Sequence, residues 1–166
     1  MSTIQKPRSL SASGLSPSDA RAVLATARRL QRAAQSGSMD QLLRGKKLGL
    51  LCAEPGGAEA ALFRHAAETL GAHVAEIPPS LSESSSANDV THTARLLGRL
   101  YDAVECQGMT PTLVHRIACE AGVPVYDGIA SLVHPTALLT EQLDGDAPPA
   151  DKRRLVVQAV LLSTIA

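Results

Sequence analysis

The sequence predicts an α/β protein of three layers, a four-stranded parallel sheet with helices on both faces, in a single domain whose C-terminal helix packs back on it. Two observations carry this reading. After Gly45-Lys46-Lys47, short apolar runs alternate with longer stretches of helical periodicity, the pattern of β-α-β units around a parallel sheet. Hydrophobic residues make up 45% of the 166 residues but aromatics only 2%, so Ala, Leu, Val and Ile must build the core. That length suits one compact domain.

Residues 1–14 are rich in Ser and lack the continuous apolar run of a secretory leader, and they read as a flexible N-terminal segment. Ser16-Pro17-Ser18-Asp19 then sets an N-cap serine before a proline at the first helical position. Val23, Leu24, Ala27, Leu30 and Ala34 give that helix an apolar stripe, and Gly37 ends it. Arg21, Arg28, Arg29 and Arg32 fall largely elsewhere on the wheel and read as a solvated face. The strands are predicted at 48–52, 73–77, 103–106 and 124–126, with helices at 58–70, 88–100 and 110–121 between them. Residues 78–87 hold two prolines and five serines and read as a mobile loop too polar to pack. A short helix starts near Pro135 and closes a domain spanning 15–143. Residues 144–150, with Gly145, Pro148 and Pro149, form a linker before an amphipathic helix at 151–166 built on Leu155, Val156, Ala159, Val160, Leu162 and Ser163.

Composition narrows the function. Sixteen Lys and Arg balance sixteen Asp and Glu, so no net charge draws the chain to nucleic acid or an anionic membrane. A net charge near zero also permits self-association. Cys52, Cys106 and Cys119 are odd in number, lack a C-x-x-C spacing, and read as buried apolar residues rather than disulfides or a zinc knuckle. No apolar stretch approaches membrane-spanning length, and a cytoplasmic protein is expected.

The segment Ala53-Glu54-Pro55-Gly56-Gly57-Ala58-Glu59-Ala60 joins the first strand to the next helix, where an α/β protein would hold a phosphate. It offers no cation and no hydroxyl, and two carboxylates instead. Glu54, Glu59 and His134 can converge at the carboxyl ends of the strands, where ligands of open α/β sheets bind. Their spacing is not diagnostic of a metal site, and no metal or cofactor is expected. Ser84-Ser85-Ser86 has no evident paired base and reads as loop.

Two segments carry a family resemblance. They are Thr93-Ala94-Arg95-Leu96-Leu97-Gly98-Arg99-Leu100-Tyr101-Asp102-Ala103, and Val123-Pro124-Val125-Tyr126-Asp127-Gly128-Ile129 followed by His134-Pro135-Thr136. Together with Gly45-Lys46-Lys47-Leu48 and Leu70-Gly71-Ala72-His73-Val74, they resemble the carbamoyl-phosphate-binding domain of the aspartate and ornithine carbamoyltransferase family, ornithine members most closely. The resemblance runs over about residues 9–143. The segment from Asp151 to Leu162 resembles the family's last helix, which in full-length members follows the amino-acid-binding domain. The resemblance therefore implies that the second domain is excised and its closing helix kept.

The family holds phosphate with an S-T-R-T-R sequence, and aligned through Pro55 and Phe63 this becomes Gly56-Gly57-Ala58-Glu59-Ala60. A further family arginine falls at Gln107, and the glutamine of the H-P-T-Q motif falls at Ala137. His134 is retained; in the family it polarises the carbamoyl oxygen, and its alternative role is to cap the helix at Pro135. The candidate pocket is thus Gly56, Gly57, Ala58, Glu59, Gln107, His134 and Ala137, with His134 the catalytic candidate. Losing three arginine contacts at about 1.5 to 3 kcal/mol each removes roughly three to six decades of affinity.

The resemblance then implies a catalytically inactive relative acting as an oligomeric scaffold or regulatory module, as a homotrimer or with an active paralogue. Two alternatives stay open. One is a small-molecule binding protein whose remodelled pocket takes a cationic or neutral ligand; the other is a carbamoyltransferase component that needs a second subunit.

Overall fold

The computed structural model describes residues 16–165, so the N-terminal segment 1–14 lies outside the described residues. Helix α1 (Pro17–Gln35) starts as its sequence dictates: the Ser16 hydroxyl accepts from the Asp19 N–H at 3.1 Å, and Pro17 fills a first-turn position whose N–H has no helical partner.

Strands β1 (Lys47–Leu51), β2 (His73–Ile77), β3 (Ala103–Cys106) and β4 (Val125–Asp127) form one parallel sheet in the order β2-β1-β3-β4. Helices α2 (Ala58–Thr69), α3 (Ala87–Leu100) and α4 (Pro111–Ala121) are the crossovers. The chain steps one way from β1 to β2 and the other way from β2 to β3 and β4. Right-handed crossovers then put α2 on one face and α3 and α4 on the opposite one.

The pleat divides the core accordingly. Leu48, Leu50 and Tyr126 face α1, α2 and the C-terminal helix α5 (Pro149–Ile165), while Leu51, Val104, Cys106 and Val125 pack on α3 and α4. In register, Leu50 pairs with Glu105 and Glu105 with Tyr126, which sets a carboxylate among apolar neighbours on the α5 side. Helices α3 and α4 pack so closely that a Cβ built on Gly98 falls 1.8 Å from the Ala121 carbonyl oxygen.

Four expectations need correction. Helix α5 is not amphipathic: Leu155, Val156, Val157, Ala159, Val160 and Leu161 are buried together with Arg153 and Gln158, because the helix packs against α1, α2 and the 3-10 helix (Pro135–Gln142) at once. It also begins at Pro149 rather than after a linker ending at 150, since proline suits a first helical turn. The 78–87 loop is not wholly unpacked, for Leu81 lies against the second core. Cys52 and Cys106 are buried, but Cys119 is exposed on the outer side of α4. Among the described residues no helix is long and apolar enough to cross a membrane.

Candidate functional site

The strand order reverses between β1 and β3, and loops leaving adjacent strands in opposite directions leave a crevice at their carboxyl ends. A cleft of about 950 Å³ lies there, lined from the β1–α2 turn, the β2–α3 loop and the β3–α4 turn. Of the candidate pocket residues, Gly57, Ala58, Glu59 and Gln107 lie in its lining, with Glu54, Glu83, Ser82, Ser84 and Thr110 beside them. Gly56, His134 and Ala137 are not among its lining residues.

Gly57 is the N-cap of α2, with extended backbone and no side-chain cap, and its N–H donates to the Glu54 carbonyl at 2.9 Å. A Cβ at Gly57 would meet that oxygen at 3.1 Å, so glycine serves close packing there, whereas Gly56 has open space around it. Glu59 stands in the first turn of α2, where its carboxylate complements the helix dipole. Arg64 lies beyond the lining: it donates to the Pro55 carbonyl at 2.8 Å and pairs with Glu76 of β2, so its charge is spent holding the turn. The cleft lining contains three glutamates and no Lys, Arg or His.

The β2–α3 loop is tied to itself, with the Ser82 N–H donating to Ser85 Oγ at 2.9 Å and Ser86 capping α3 through the Asp89 N–H at 3.1 Å. On the far side, Thr110 caps α4. Gln107 is 7% exposed and its N–H donates to the Leu51 carbonyl at 2.9 Å, which docks the β3–α4 turn on β1.

His134 is 3% exposed and stands as the N-cap of the 3-10 helix. Its Nδ1 accepts from the Thr136 N–H at 3.2 Å and lies 2.8 Å from the Thr136 hydroxyl. Ala137 is held on the same turn, its N–H donating to the His134 carbonyl at 2.9 Å.

Beneath this segment lies a buried polar cluster that the sequence reading missed. Glu105, fully buried, accepts from the Ile129 N–H at 3.1 Å and the Ala130 N–H at 3.2 Å. Burial pushes its carboxyl up to about 8, against the opposing pull of those N–H groups, the Gln107 side chain and the Gly128 N–H. Arg153 of α5 donates to the carbonyls of Ile129 and Ser131, the latter at 3.0 Å, and to the Thr136 hydroxyl at 3.2 Å. Burial lowers the Arg153 pKa and the Glu105 charge opposes that shift. The 129–136 segment is therefore gripped from β3 by a carboxyl and from α5 by a guanidinium. One signal was available in the sequence: a glutamate inside a short parallel strand has to be buried and must find donors.

The fold and cleft define an open α/β domain with a switch-point crevice whose charged lining residues are all acidic. Residues 8–144 match the aspartate/ornithine carbamoyltransferase carbamoyl-P binding domain, and the chain belongs to that family. It is 37% identical over 121 residues to an ornithine carbamoyltransferase of Actinobacillus pleuropneumoniae, covering 73% of this chain and 36% of that protein. It is 38% identical over 128 residues to a catabolic ornithine carbamoyltransferase of Chromobacterium violaceum, covering 76% and 38% respectively. The chain thus spans just over a third of the length of these curated relatives. Among solved structures, the ornithine carbamoyltransferase from Gloeobacter violaceus superposes with a TM-score of 0.60 at 27% identity, over 81% of this chain and 42% of that one. The Pyrococcus furiosus enzyme superposes at 0.69 and 23% identity, over 86% and 45%, a likeness of fold.

Proposed function

We propose that the chain is a carbamoyltransferase-like domain that does not bind carbamoyl phosphate and works as an oligomeric scaffold or regulatory module. One observation carries the reading: Glu54, Glu59 and Glu83 line the switch-point cleft and no basic side chain does. A dianionic phosphate there would meet the N-terminus of α2, but a helix end supplies only about half a unit of positive charge against the carboxylates. The side chains that supply the rest in the family are replaced at Gly56, Gly57, Ala58, Ala60 and Gln107. Calorimetric titration with carbamoyl phosphate is expected to give no saturable heat up to millimolar ligand. A saturable isotherm would overturn the reading and favour a transferase component that works with a second subunit.

The scaffold half rests on the resemblance, which implies a homotrimer or a mixed assembly with an active paralogue. Light scattering after size exclusion tests it, and a clean monomer at high concentration sinks it. The same carboxylates favour a second reading, a cleft that accepts a cationic or neutral small molecule. A thermal-shift screen separates the two: a scaffold shows no saturable stabilisation, whereas a ligand at 100 times its Kd adds about 2.7 kcal/mol.

A further inference from the structure

We propose that His115 and Cys119, on the outer side of α4, form half of a site for a borderline-soft divalent cation such as zinc, and that a second copy of the chain completes it. The two residues are four apart on one helix, so they share a face one turn apart. Both are exposed, and the His115 Nε2 and Cys119 Sγ atoms are 3.5 Å apart. A tetrahedral zinc ion with Zn–N of about 2.0 to 2.1 Å and Zn–S of about 2.3 Å requires an N···S edge of about 3.6 Å. The donors already stand at the separation such an ion needs. Their chemistry also selects the cation, because a thiolate and an imidazole suit zinc or cobalt and not the oxygen-seeking calcium or magnesium.

Among the described residues no group of three or more His, Cys, Asp or Glu could hold a metal, and residues 1–15 contain neither His nor Cys. One chain therefore supplies two ligands where a closed tetrahedral site takes four. A two-fold axis through the ion duplicates the pair, giving two thiolates and two imidazoles, and an isologous contact is self-complementary by construction. The neighbouring cations do not obstruct it. Arg95 pairs with Glu120 at 3.3 Å and Arg116 donates to the Ser85 carbonyl at 3.4 Å. The other thiols do not compete, since Cys52 and Cys106 are buried and burial raises both of them. On coordination each Cys119 S–H bond gives its proton to solvent as the S–metal bond forms, and each neutral His115 donates the Nε2 lone pair with its proton on Nδ1.

Cobalt(II) is the probe, titrated into the reduced, metal-free protein and then displaced with zinc. Expected are tetrahedral d–d bands with thiolate-to-cobalt charge transfer, saturation at one cobalt per two chains, release of two protons per cobalt, and an assembly of twice the metal-free mass by light scattering. Cys119→Ser should lose the charge-transfer bands and the doubling in mass, and His115→Gln should lose the doubling. Both residues are exposed, so circular dichroism of both variants should match the parent. Absence of the bands, their persistence in Cys119→Ser, or saturation at one cobalt per chain without a change in mass would each overturn the proposal.

Discussion

Glu105 shows how one residue's surroundings set its charge. It is fully buried on the α5 side of the sheet, and its carboxyl is pushed from an ordinary 4.5 up to about 8 because desolvation outweighs the N–H groups it accepts from. The folded protein therefore holds a proton that the unfolded chain releases near 4.5. Stability from this group is fully present below that value, falls as pH rises toward about 8, and changes little beyond. The slope contributed is at most about 1.4 kcal/mol per pH unit. Chemical denaturation of the parent and of Glu105→Gln at pH 5 to 9 should show the parent losing stability across this window more steeply than the variant. Parallel curves would mean that Glu105 is already ionised in the folded state. The residue was readable as strand but not as a proton site, because its donors, Ile129 and Ala130, come from a loop whose path no local pattern encodes.

At the scale of elements, helix caps and crossovers were legible because they are local. Ser16 and Gly122 mark helix ends with chemistry contained in a few residues, and the structure uses both so, whereas Ser86, read as loop, and Thr110, read as helix, prove to be the N-caps of α3 and α4. Burial of a whole helix is not local. The apolar residues of helix α5 were readable, but only its neighbours reveal that Arg153 and Gln158 also turn inward; Gln158 donates to the Ala66 carbonyl of α2 at 3.1 Å. Cys119 was misplaced for the opposite reason. Leu113, Val114, Ile117, Ala118 and Ala121 define the buried stripe of α4, and a helical wheel centred on them leaves His115 and Cys119 outside. The contact between α3 and α4 gives the sharpest test at this scale. Gly98→Ala would drive a methyl group into the Ala121 carbonyl, so the helices must separate or shift. A contact of 1.8 Å with a backbone oxygen puts the overpacking at the upper end of about 1 to 3 kcal/mol, above the gain of roughly 1 kcal/mol in helix propensity, and the variant should unfold at lower denaturant with an unchanged slope. An unaltered midpoint would show that the helices slide apart freely.

For the molecule as a whole, zero net charge conceals an uneven distribution. The switch-point cleft carries Glu54, Glu59 and Glu83, while basic side chains such as Arg64 and Arg116 are engaged outside its lining. Helices α2 and α4 nevertheless both begin at the cleft, and a helix N-terminus favours an anion whatever side chains surround it. Geometry and side-chain charge can then be separated by experiment. Ala58 is exposed, lines the cleft, and occupies a position where the family resemblance places an arginine. Ala58→Arg combined with Glu59→Gln supplies one charge-assisted donor and removes one opposing carboxylate. With inorganic phosphate as the probe, calorimetry or line-broadening should show affinity raised about ten- to a hundredfold over the parent, from one such contact worth about 1.5 to 3 kcal/mol. Glu59→Gln alone should gain less, because removing repulsion adds no donor. If the double variant binds phosphate no better than the parent, the turn from Glu54 to Gly57 has lost the backbone geometry of an anion site along with its side chains. The acidic cleft would then be a new surface rather than an old one with its charges changed.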